Sequence, residues 1–250
     1  MIDIHAHILP GLDDGARDIY DSLEMAQLAL ESEVTAIVAT PHCNVPGYFD
    51  NYFGREYIEA FKRVEEAFRL EEIPIKLYAG MEVFATADLP ELLRKGKILT
   101  INAGNYLLTE FSFDEEAKYA EKILDDLLRM GIRPIVAHAE RYEFVQDMPE
   151  LISRWKKKGI LIQANKGSFT GRFGKRTLGV ANYLLDNYLL DVIASDCHGP
   201  DVRTPFLLDA YKVLCKKCDE NYLHILFEEN PRRICANQGV LDYFNAQRQF

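Results

Sequence analysis

The sequence predicts an α/β protein in which seven parallel strands form a closed or nearly closed barrel with helices on the outside. Short apolar, β-branched segments alternate with amphipathic segments along the 250 residues, a pattern typical of a parallel sheet covered on both faces. Seven such units favour a barrel, and a doubly wound open sheet is the alternative. No Gly-x-Gly-x-x-Gly motif follows a predicted strand, so a nucleotide-binding fold has little support.

Each predicted strand is an apolar run bounded by turn residues, and each predicted helix carries apolar residues at helical spacing. The strands are predicted at residues 2–5, 34–40, 74–79, 106–109, 134–137, 160–164 and 192–194. The helices are predicted at 18–32, 54–70, 89–94, 114–130, 149–158, 175–187 and 204–217, with a helical tail to about 239. Asp114 is expected to cap its helix, and Gly131 and Gly159 to end theirs. We expect one domain over residues 1–250, with a peripheral tail from about 240.

The composition excludes several classes of protein. The chain has 39 acidic and 29 basic residues, and a net charge of −10 argues against binding to nucleic acid or to an anionic membrane. No stretch approaches about 18 consecutive apolar residues, so we expect no membrane insertion. The first residues are too polar for a secretory signal, and the five cysteines lack the spacing of a disulfide framework. We therefore expect a cytoplasmic protein.

Histidines and carboxylates gather where the predicted strands end. The first strand runs into His5-x-His7, and residues two apart in a strand share a face, so both imidazoles project side by side. Five of the six histidines lie at the carboxyl ends of strands, where parallel α/β proteins have their working sites. Nine side chains at these ends are candidate ligands for divalent first-row metals: His5, His7, Asp14, His42, Glu82, Glu110, His138, Asp196 and His198. One tetrahedral ion takes about four ligands, so we expect two or three ions with a bridging carboxylate.

The same residues form a set of short motifs: His5-x-His7, Asp13-Asp14-Gly15, Thr40-Pro41-His42, Gly80-Met81-Glu82, Glu110-Phe111, His138-x-x-Arg141-Tyr142 and Asp196-x-His198. Together they resemble the PHP (polymerase and histidinol phosphatase) superfamily. The branch that the sequence resembles most is the manganese-dependent protein-tyrosine phosphatases of bacterial capsule and exopolysaccharide systems. The resemblance implies a distorted seven-stranded (β/α)7 barrel with three divalent metal ions, manganese being favoured and iron or zinc being the alternatives.

The resemblance also implies which ligands each ion takes. The first ion would take His5, His7, Glu82 and Asp196. The second would take Glu82 as a bridge, Glu110 and His138, and the third would take Asp14, His42 and His198. Arg141 matches an arginine that contacts the substrate phosphate in this family. The sequence departs from the family at Ala139, where proline is usual, and at Cys197, where alanine is common.

The chemistry expected of such a site is hydrolysis of a phosphate monoester. Clustered divalent ions bind the phosphoryl group and lower the pKa of a bridging water, so we predict attack of a metal-bridging hydroxide on phosphorus. Arg141, Arg17 and Arg203 are candidate phosphate clamps, although Arg17 and Arg203 fit surface ion pairs equally well. The resemblance implies that the substrate is phosphotyrosine on a protein, the tail of a membrane-associated bacterial tyrosine kinase.

Two further features have alternative interpretations. Four aromatic residues follow His42, and they either wall a substrate pocket and stack on a phosphotyrosine ring or pack their own loop: Tyr48, Phe49, Tyr52 and Phe53. Asn165 ends the sixth strand and either orients substrate or water or supports a turn.

Other functions fit parts of the sequence. Cys197-x5-Arg203-Thr204 matches the C-x5-R-[ST] loop of cysteine-dependent tyrosine phosphatases, but a thiolate mechanism leaves the strand-end ligands unexplained. A small-molecule phosphoesterase of the histidinol-phosphate type and an amidohydrolase are the alternatives among metal hydrolases. A non-enzymatic partner of a kinase complex with a structural metal site is a third class, and the full set of ligands argues against it.

Overall fold

The computed structural model of the protein describes residues 1–243, and the strands of this part of the chain lie in two sheets in which every pairing is parallel. The strands are β1 (Ile2–Ala6), β2 (Ala36–Ala39), β3 (His42–Cys43), β4 (Lys76–Ala79), β5 (Glu82–Phe84), β6 (Tyr106–Glu110), β7 (Arg133–Val136), β8 (Leu161–Asn165) and β9 (Val192–Ala194). One sheet has the order β1-β2-β4, and the other has the order β3-β5-β6-β7-β8-β9.

The sheets curl so that the first and the last strand come together. Ala6 and Cys197 form a parallel bridge just beyond β9. The N–H of His7 donates to the carbonyl of Cys197 at 3.0 Å, and the N–H of Asp196 donates to the carbonyl of His5 at 2.9 Å. The predicted α/β fold with parallel strands is therefore confirmed as a curled, half-barrel sheet. The predicted count of seven strands stays a prediction, because β3 and β5 are separate short strands.

The sequence pattern does not show the interruptions that create β3 and β5. β3 follows β2 after Thr40 and Pro41, and proline has no N–H to donate to the sheet. β5 follows β4 after Gly80 and Met81. A Cβ atom at Gly80 would lie 2.9 Å from the Cγ1 atom of Val38, so the backbone approaches the neighbouring strand closely at this point. These steps carry the chain from one sheet to the other and place His42 and Glu82 side by side.

Every predicted helix has a counterpart in the structure, with ends that agree to within about four residues. The helices are α1 (Ile19–Glu31), α2 (Arg55–Leu70), α3 (Leu89–Arg94), α4 (Ala117–Arg129), α5 (Glu143–Asp147), α6 (Leu151–Lys158), α7 (Lys166–Phe169), α8 (Gly174–Asp186), α9 (Leu208–Leu214), α10 (Glu220–His224) and α11 (Asn230–Cys235). Two short helices, α5 and α7, were not predicted. Short 3-10 turns lie at Ile101–Ala103 and Ala139–Arg141, and a π-helical turn at Ile225–Glu229 divides the predicted helical tail.

One predicted helix cap is wrong. α4 begins at Ala117 rather than after Asp114, and the carboxylate of Asp114 accepts from the hydroxyl of Ser112 instead of from helix N–H groups. A short polar side chain in a turn can bond to its neighbours as readily as to a helix end, so the cap signal is ambiguous. Gly131 and Gly159 follow their helices with φ of +79° and +91°, as predicted.

Alternation along β8 shows how the strands position a polar site. Ile162 and Ala164 belong to the large apolar cluster that includes the helices. Leu161, Gln163 and Asn165 share the other face, because successive side chains of a strand point to opposite sides. This face is apolar where the strand begins and polar at its carboxyl end. The buried core therefore supports a polar layer at the strand ends.

The described part of the tail packs against the body. The N–H of Leu241 donates to the side-chain oxygen of Asn230 at 2.7 Å, and the ring of Tyr243 stacks on Tyr188 with centroids 4.5 Å apart. The rest of the predicted peripheral tail, residues 244–250, lies outside the described residues. Over residues 1–243, no helix has both the length and the apolar composition needed to cross a membrane.

Candidate metal centre

The nine predicted ligands come together at the carboxyl ends of the strands. Three groups of their ligand atoms each lie within 4.8 Å of one another: His5, His7, Glu82 and Asp196; His7, Asp14, His42 and His198; and His42, Glu82 and Glu110. The ninth residue joins through its Nε2 atom, because His138 lies 2.9 Å from Oε1 of Glu82 and 3.8 Å from Oε2 of Glu110. His7 therefore lies close to the third ligand set that the resemblance implies as well as belonging to the first. His42, which is implied for the third set, also lies close to Glu82 and Glu110 of the second.

The outer partners of His5 and His7 fix where these imidazoles carry their protons. His5 Nδ1 lies 3.1 Å from Oε1 of Gln163, which also accepts from the N–H of His138 at 2.9 Å. His7 Nδ1 lies 2.7 Å from Oδ2 of Asp13. Each Nδ1 therefore donates, and in the neutral ring each Nε2 carries a lone pair. The two Nε2 atoms are 3.2 Å apart, so a cation between them would offset their repulsion.

Glu82 lies at the centre of the cluster and is fully buried. Its Oε2 atom lies 3.1 Å from His5, 3.2 Å from His7 and 3.0 Å from His42, while Oε1 faces His138. Burial opposes ionisation of Glu82, but attraction by His5 and His42 outweighs burial and holds its pKa well below the usual range. An ionised carboxylate with imidazoles around both oxygens fits a ligand that bridges two ions.

His42 and His198 form the outer side of the cluster with Asp14. Burial lowers the pKa of His42, but the carboxylates of Glu82 and Glu110, 3.0 and 2.9 Å from its Nδ1, outweigh burial and raise the pKa to about 10. These acids therefore favour positive charge at this point, which fits a cation site. His198 has its pKa lowered to about 4 by burial and by repulsion from neighbouring His7. Its Nδ1 faces the backbone oxygen of Asp196 at 3.1 Å, so its Nε2 lone pair points toward the cluster.

The donor atoms of the cluster fit a multinuclear metal centre. Among the described residues, five buried atoms of the candidate ligands make no well-oriented hydrogen bond, although some lie close to one another: His42 Nδ1, Glu82 Oε2, His138 Nδ1, Asp196 Oδ1 and His198 Nε2. A buried polar atom without a partner costs about 1–3 kcal/mol, so several in one cluster point to an ion. Five imidazoles and four carboxylates are also the ligands that divalent first-row metals prefer.

Left-handed backbone conformations aim several of these side chains. His138, Asp196 and Arg203 have φ of +34°, +51° and +56°, a region that non-glycine residues rarely adopt. Each such residue costs of order 1–3 kcal/mol, and strain of this kind clusters at functional sites. Gly15 is needed for a different reason, because a Cβ atom there would lie 2.2 Å from the backbone oxygen of His7. Glycine lets the loop that carries Asp14 pack directly against a ligand.

Three residues that hold the ligands are neither among the nine predicted ligands nor among the three predicted arginines: Asp13, Gln163 and Asn165. Besides its bond to His7, Asp13 accepts from the N–H of His42 at 2.8 Å. Gln163 donates to Asn165 at 2.8 Å, and Asn165 in turn donates to Oδ2 of Asp196 at 2.5 Å. Such outer partners fix the orientation of metal ligands. The sequence signal for Gln163 is a polar residue inside an otherwise apolar strand, and Asn165 orients a ligand as well as ending that strand.

Two of the three predicted arginines lie beside Asp196. The guanidinium of Arg141 lies between the rings of Phe113 and Phe173, 4.3 and 4.4 Å from their centroids, with Nη1 3.8 Å from Oδ2 of Asp196. Arg203 forms an ion pair with the same carboxylate, and its Nε donates to the backbone oxygen of Asp196 at 3.1 Å. Both arginines therefore border the cluster.

Arg17 lies on the surface. Its Nε and Nη2 donate to the carboxylate of Asp21 at 2.6 and 2.8 Å, and its side chain is 77% exposed. This geometry matches the ion-pair interpretation of Arg17. Of the four aromatic residues after His42, Phe49 stacks on the His42 ring, with the two planes 4° apart, whereas Tyr48 is 81% exposed.

A parallel α/β fold with a buried cluster of imidazoles and carboxylates at its strand ends defines a metal-dependent hydrolase. The family model described as capsular polysaccharide synthesis, CpsB/CapC, matches residues 1–236. The chain belongs to this family, and the resemblance to the capsule branch of the PHP superfamily is confirmed.

Several relatives are similar over nearly their whole length. Tyrosine-protein phosphatase YwqE of Bacillus subtilis is 35% identical over 240 residues, covering 96% of this chain and 93% of the relative. Tyrosine-protein phosphatase CpsB of Streptococcus pneumoniae is 32% identical over 245 residues, covering 96% and 100%. A crystal structure from a study of these two proteins, described as unique metal-dependent tyrosine phosphatases, matches with a TM-score of 0.88 at 34% identity and covers 96% of both chains. A probable 2-pyrone-4,6-dicarboxylic acid hydrolase of Acinetobacter baumannii shares the fold alone, with a TM-score of 0.55 at 16% identity over 94% and 98% of the chains.

Proposed function

We propose that the protein is a metal-dependent protein-tyrosine phosphatase of bacterial capsule or exopolysaccharide synthesis. The observation that carries this proposal is the buried cluster around Glu82, where imidazoles and carboxylates face one another beside two arginines. Such a cluster attracts cations, and cations together with guanidinium groups bind a phosphoryl group. Relatives 35% and 32% identical carry the name tyrosine-protein phosphatase.

The proposal assigns three divalent ions to the nine ligands. One set is His5, His7, Glu82 and Asp196, the second is Glu82, Glu110 and His138, and the third is Asp14, His42 and His198. Manganese is the proposed metal, with iron and zinc as alternatives, because imidazole and carboxylate suit all three. Ions held by these residues would neutralise phosphate charge and would lower the pKa of water, which is the chemistry that attack of hydroxide on phosphorus requires.

The arginines hold the phosphoryl group in this proposal. Arg141 keeps its guanidinium plane fixed between two rings, and Arg203 is held by Asp196, so both are oriented before substrate binds. Tyrosine leaves as a phenol with a pKa of about 10, so the leaving oxygen needs little help from a proton donor. Arg17 stays a prediction, and the proposal does not depend on it because its guanidinium is paired with Asp21.

Three broader predictions belong to the same proposal. The contact between Ala6 and Cys197 supports a distorted seven-stranded barrel in one domain, in which β2 with β3 and β4 with β5 each count as one strand. The family's role in capsular polysaccharide synthesis supports a phosphotyrosine protein as substrate, and we propose the tail of a membrane-associated bacterial tyrosine kinase. Five free cysteines, three of them buried, fit a cytoplasmic location.

Metal content and substrate preference test this proposal together. The protein loaded with Mn²⁺ is expected to bind about three equivalents, because one ion takes about four ligands and carboxylates can bridge. Steady-state kinetics would compare a phosphotyrosine peptide, the matching phosphoserine peptide and histidinol phosphate, and we expect the highest kcat/KM for phosphotyrosine. Preference for histidinol phosphate would assign a small-molecule phosphoesterase instead. Absence of turnover with all three would favour a non-enzymatic role.

Replacement of Cys197 by serine is expected to leave phosphotyrosine hydrolysis within about threefold of the parent, because the thiol is not the nucleophile. Cys197 is fully buried, and burial raises the pKa of its thiol to about 12, so no thiolate forms at neutral pH. The matched control is Cys235→Ser, a second buried cysteine away from the cluster. A loss of about a thousandfold in kcat for Cys197→Ser alone would favour the thiolate mechanism.

A further inference from the structure

We propose that an apolar cleft beside the metal centre binds the aryl ring of the substrate and selects aryl over alkyl phosphates. Its apolar wall consists of Val45, Phe49, Phe84, Phe111 and Phe113. The inference rests on the proposed phosphatase function and identifies the side chains that set its specificity.

The cleft opens directly onto candidate metal ligands. His42 and Glu110 line it together with the apolar residues. Phe84 lies two residues after Glu82 in β5, so both side chains project from the same face of the strand. Phe84 also pairs in register with Glu110 of β6. A group bound in the cleft therefore lies next to the acids that hold the ions.

The size and polarity of the cleft fit a phenyl ring. Its volume is about 230 Å³, and an apolar cavity of about 150 Å³ is large enough to hold benzene. The described residues that line it include neither lysine nor arginine, and its one basic side chain, His42, belongs to the candidate metal centre, so the apolar wall itself offers no cationic partner for a phosphate group. Aromatic walls instead favour edge or offset contacts with another ring.

Phe113 joins the cleft to the phosphate site. Its ring lines the cleft and also packs against the guanidinium of Arg141, 4.3 Å from the ring centroid. A phenyl ring in the cleft would place its phosphate group beside Arg141 and beside His42 and Glu110, which are candidate metal ligands. The side chain of phosphoserine is too short to fill the cleft while its phosphate occupies the same position, so an alkyl ester loses the contacts with the aromatic wall.

The test compares phenyl phosphate with glycerol 2-phosphate on the Mn²⁺-loaded full-length protein. Phe84→Ala removes one wall, and Val45→Phe fills the cleft. Each variant is expected to lower the ratio of kcat/KM for the aryl over the alkyl ester about tenfold relative to the parent, the effect of losing the burial of one aromatic ring. Using the ratio cancels any loss of folded protein or of bound metal.

Phe173→Ala is the matched control. Phe173 packs on the other side of Arg141 and does not line the cleft, so its loss is expected to lower both activities alike and to leave the ratio unchanged. An unchanged ratio in both Phe84→Ala and Val45→Phe, with the parent active on phosphotyrosine, would overturn the aryl site and leave the phosphatase proposal standing. A parent that hydrolyses no phosphate ester in the presence of Mn²⁺, Fe²⁺ or Zn²⁺ would overturn both.

Discussion

Dialysis against an excess of chelator is expected to lower kcat for a phosphotyrosine peptide at least about 10⁴-fold, and re-addition of Mn²⁺ to restore it. Without the ions, nothing in the cluster lowers the pKa of a water molecule enough to supply hydroxide. The carboxylates of Asp14, Glu82, Glu110 and Asp196 are then no longer neutralised by metal, and they oppose the binding of a phosphate dianion that Arg141, Arg203 and His42 attract. Phosphate release measured before chelation, after it, and after add-back of each metal checks the prediction.

Circular dichroism of the chelated protein provides the control, because loss of fold would also abolish activity. Turnover at the parental rate in excess chelator, from protein shown to contain less than one equivalent of metal, would contradict a metal mechanism. Restoration by zinc or iron in place of manganese would leave the mechanism intact and change the identity of the metal.

The sequence predicts the order of elements because each one follows from a local pattern. The apolar runs of β6, β7 and β8 and the amphipathic pattern of α2 are found where expected. The short strands β3 and β5 that follow Pro41 and Gly80 were not predicted, because each is only two or three residues long and, at Gly80, the step depends on how closely the chain approaches Val38 of a neighbouring strand. The predicted cap at Asp114 is wrong for a similar reason. The carboxylate of Asp114 can accept either from helix N–H groups or from the hydroxyl of Ser112, and the fold selects Ser112.

The ligand types of the site were predictable because parallel strands bring their carboxyl ends to one edge. The sequence did not predict that His7 and His42 each lie close to two groups of ligands. Their positions depend on the register between strands that are distant in sequence. Gln163 acts through His5, 158 residues away in the chain, and Phe84 gains its role only beside Glu110. Contacts between residues so distant in the chain produce no periodic pattern in the sequence from which they could be predicted.

Replacement of Glu82 by glutamine is expected to lower kcat for a phosphotyrosine peptide roughly a thousandfold at saturating Mn²⁺, because the variant loses the central carboxylate that would hold the ions that activate water. Glutamine keeps the shape of Glu82 but removes the charge that His5, His7, His42 and His138 face. A neutral amide is also a poor bridge between two cations, so the variant is expected to bind fewer equivalents of metal. Kinetics and metal analysis of the same preparation measure both effects.

Glu140→Gln is the matched control, because Glu140 is also fully buried and lies close to the site in the chain. Its Oε1 atom accepts from the hydroxyl of Ser168 and from the N–H of Asn165, bonds that an amide oxygen retains. Burial raises the pKa of Glu140, and its two Oε1 hydrogen bonds survive in the amide, so we expect full metal content and a loss in kcat of no more than about tenfold. Equal losses in the two variants would mean that burial, rather than a bridging role at the centre of the cluster, explains the effect of Glu82. A large loss confined to Glu82→Gln, together with its missing metal, would tie catalysis to that one carboxylate.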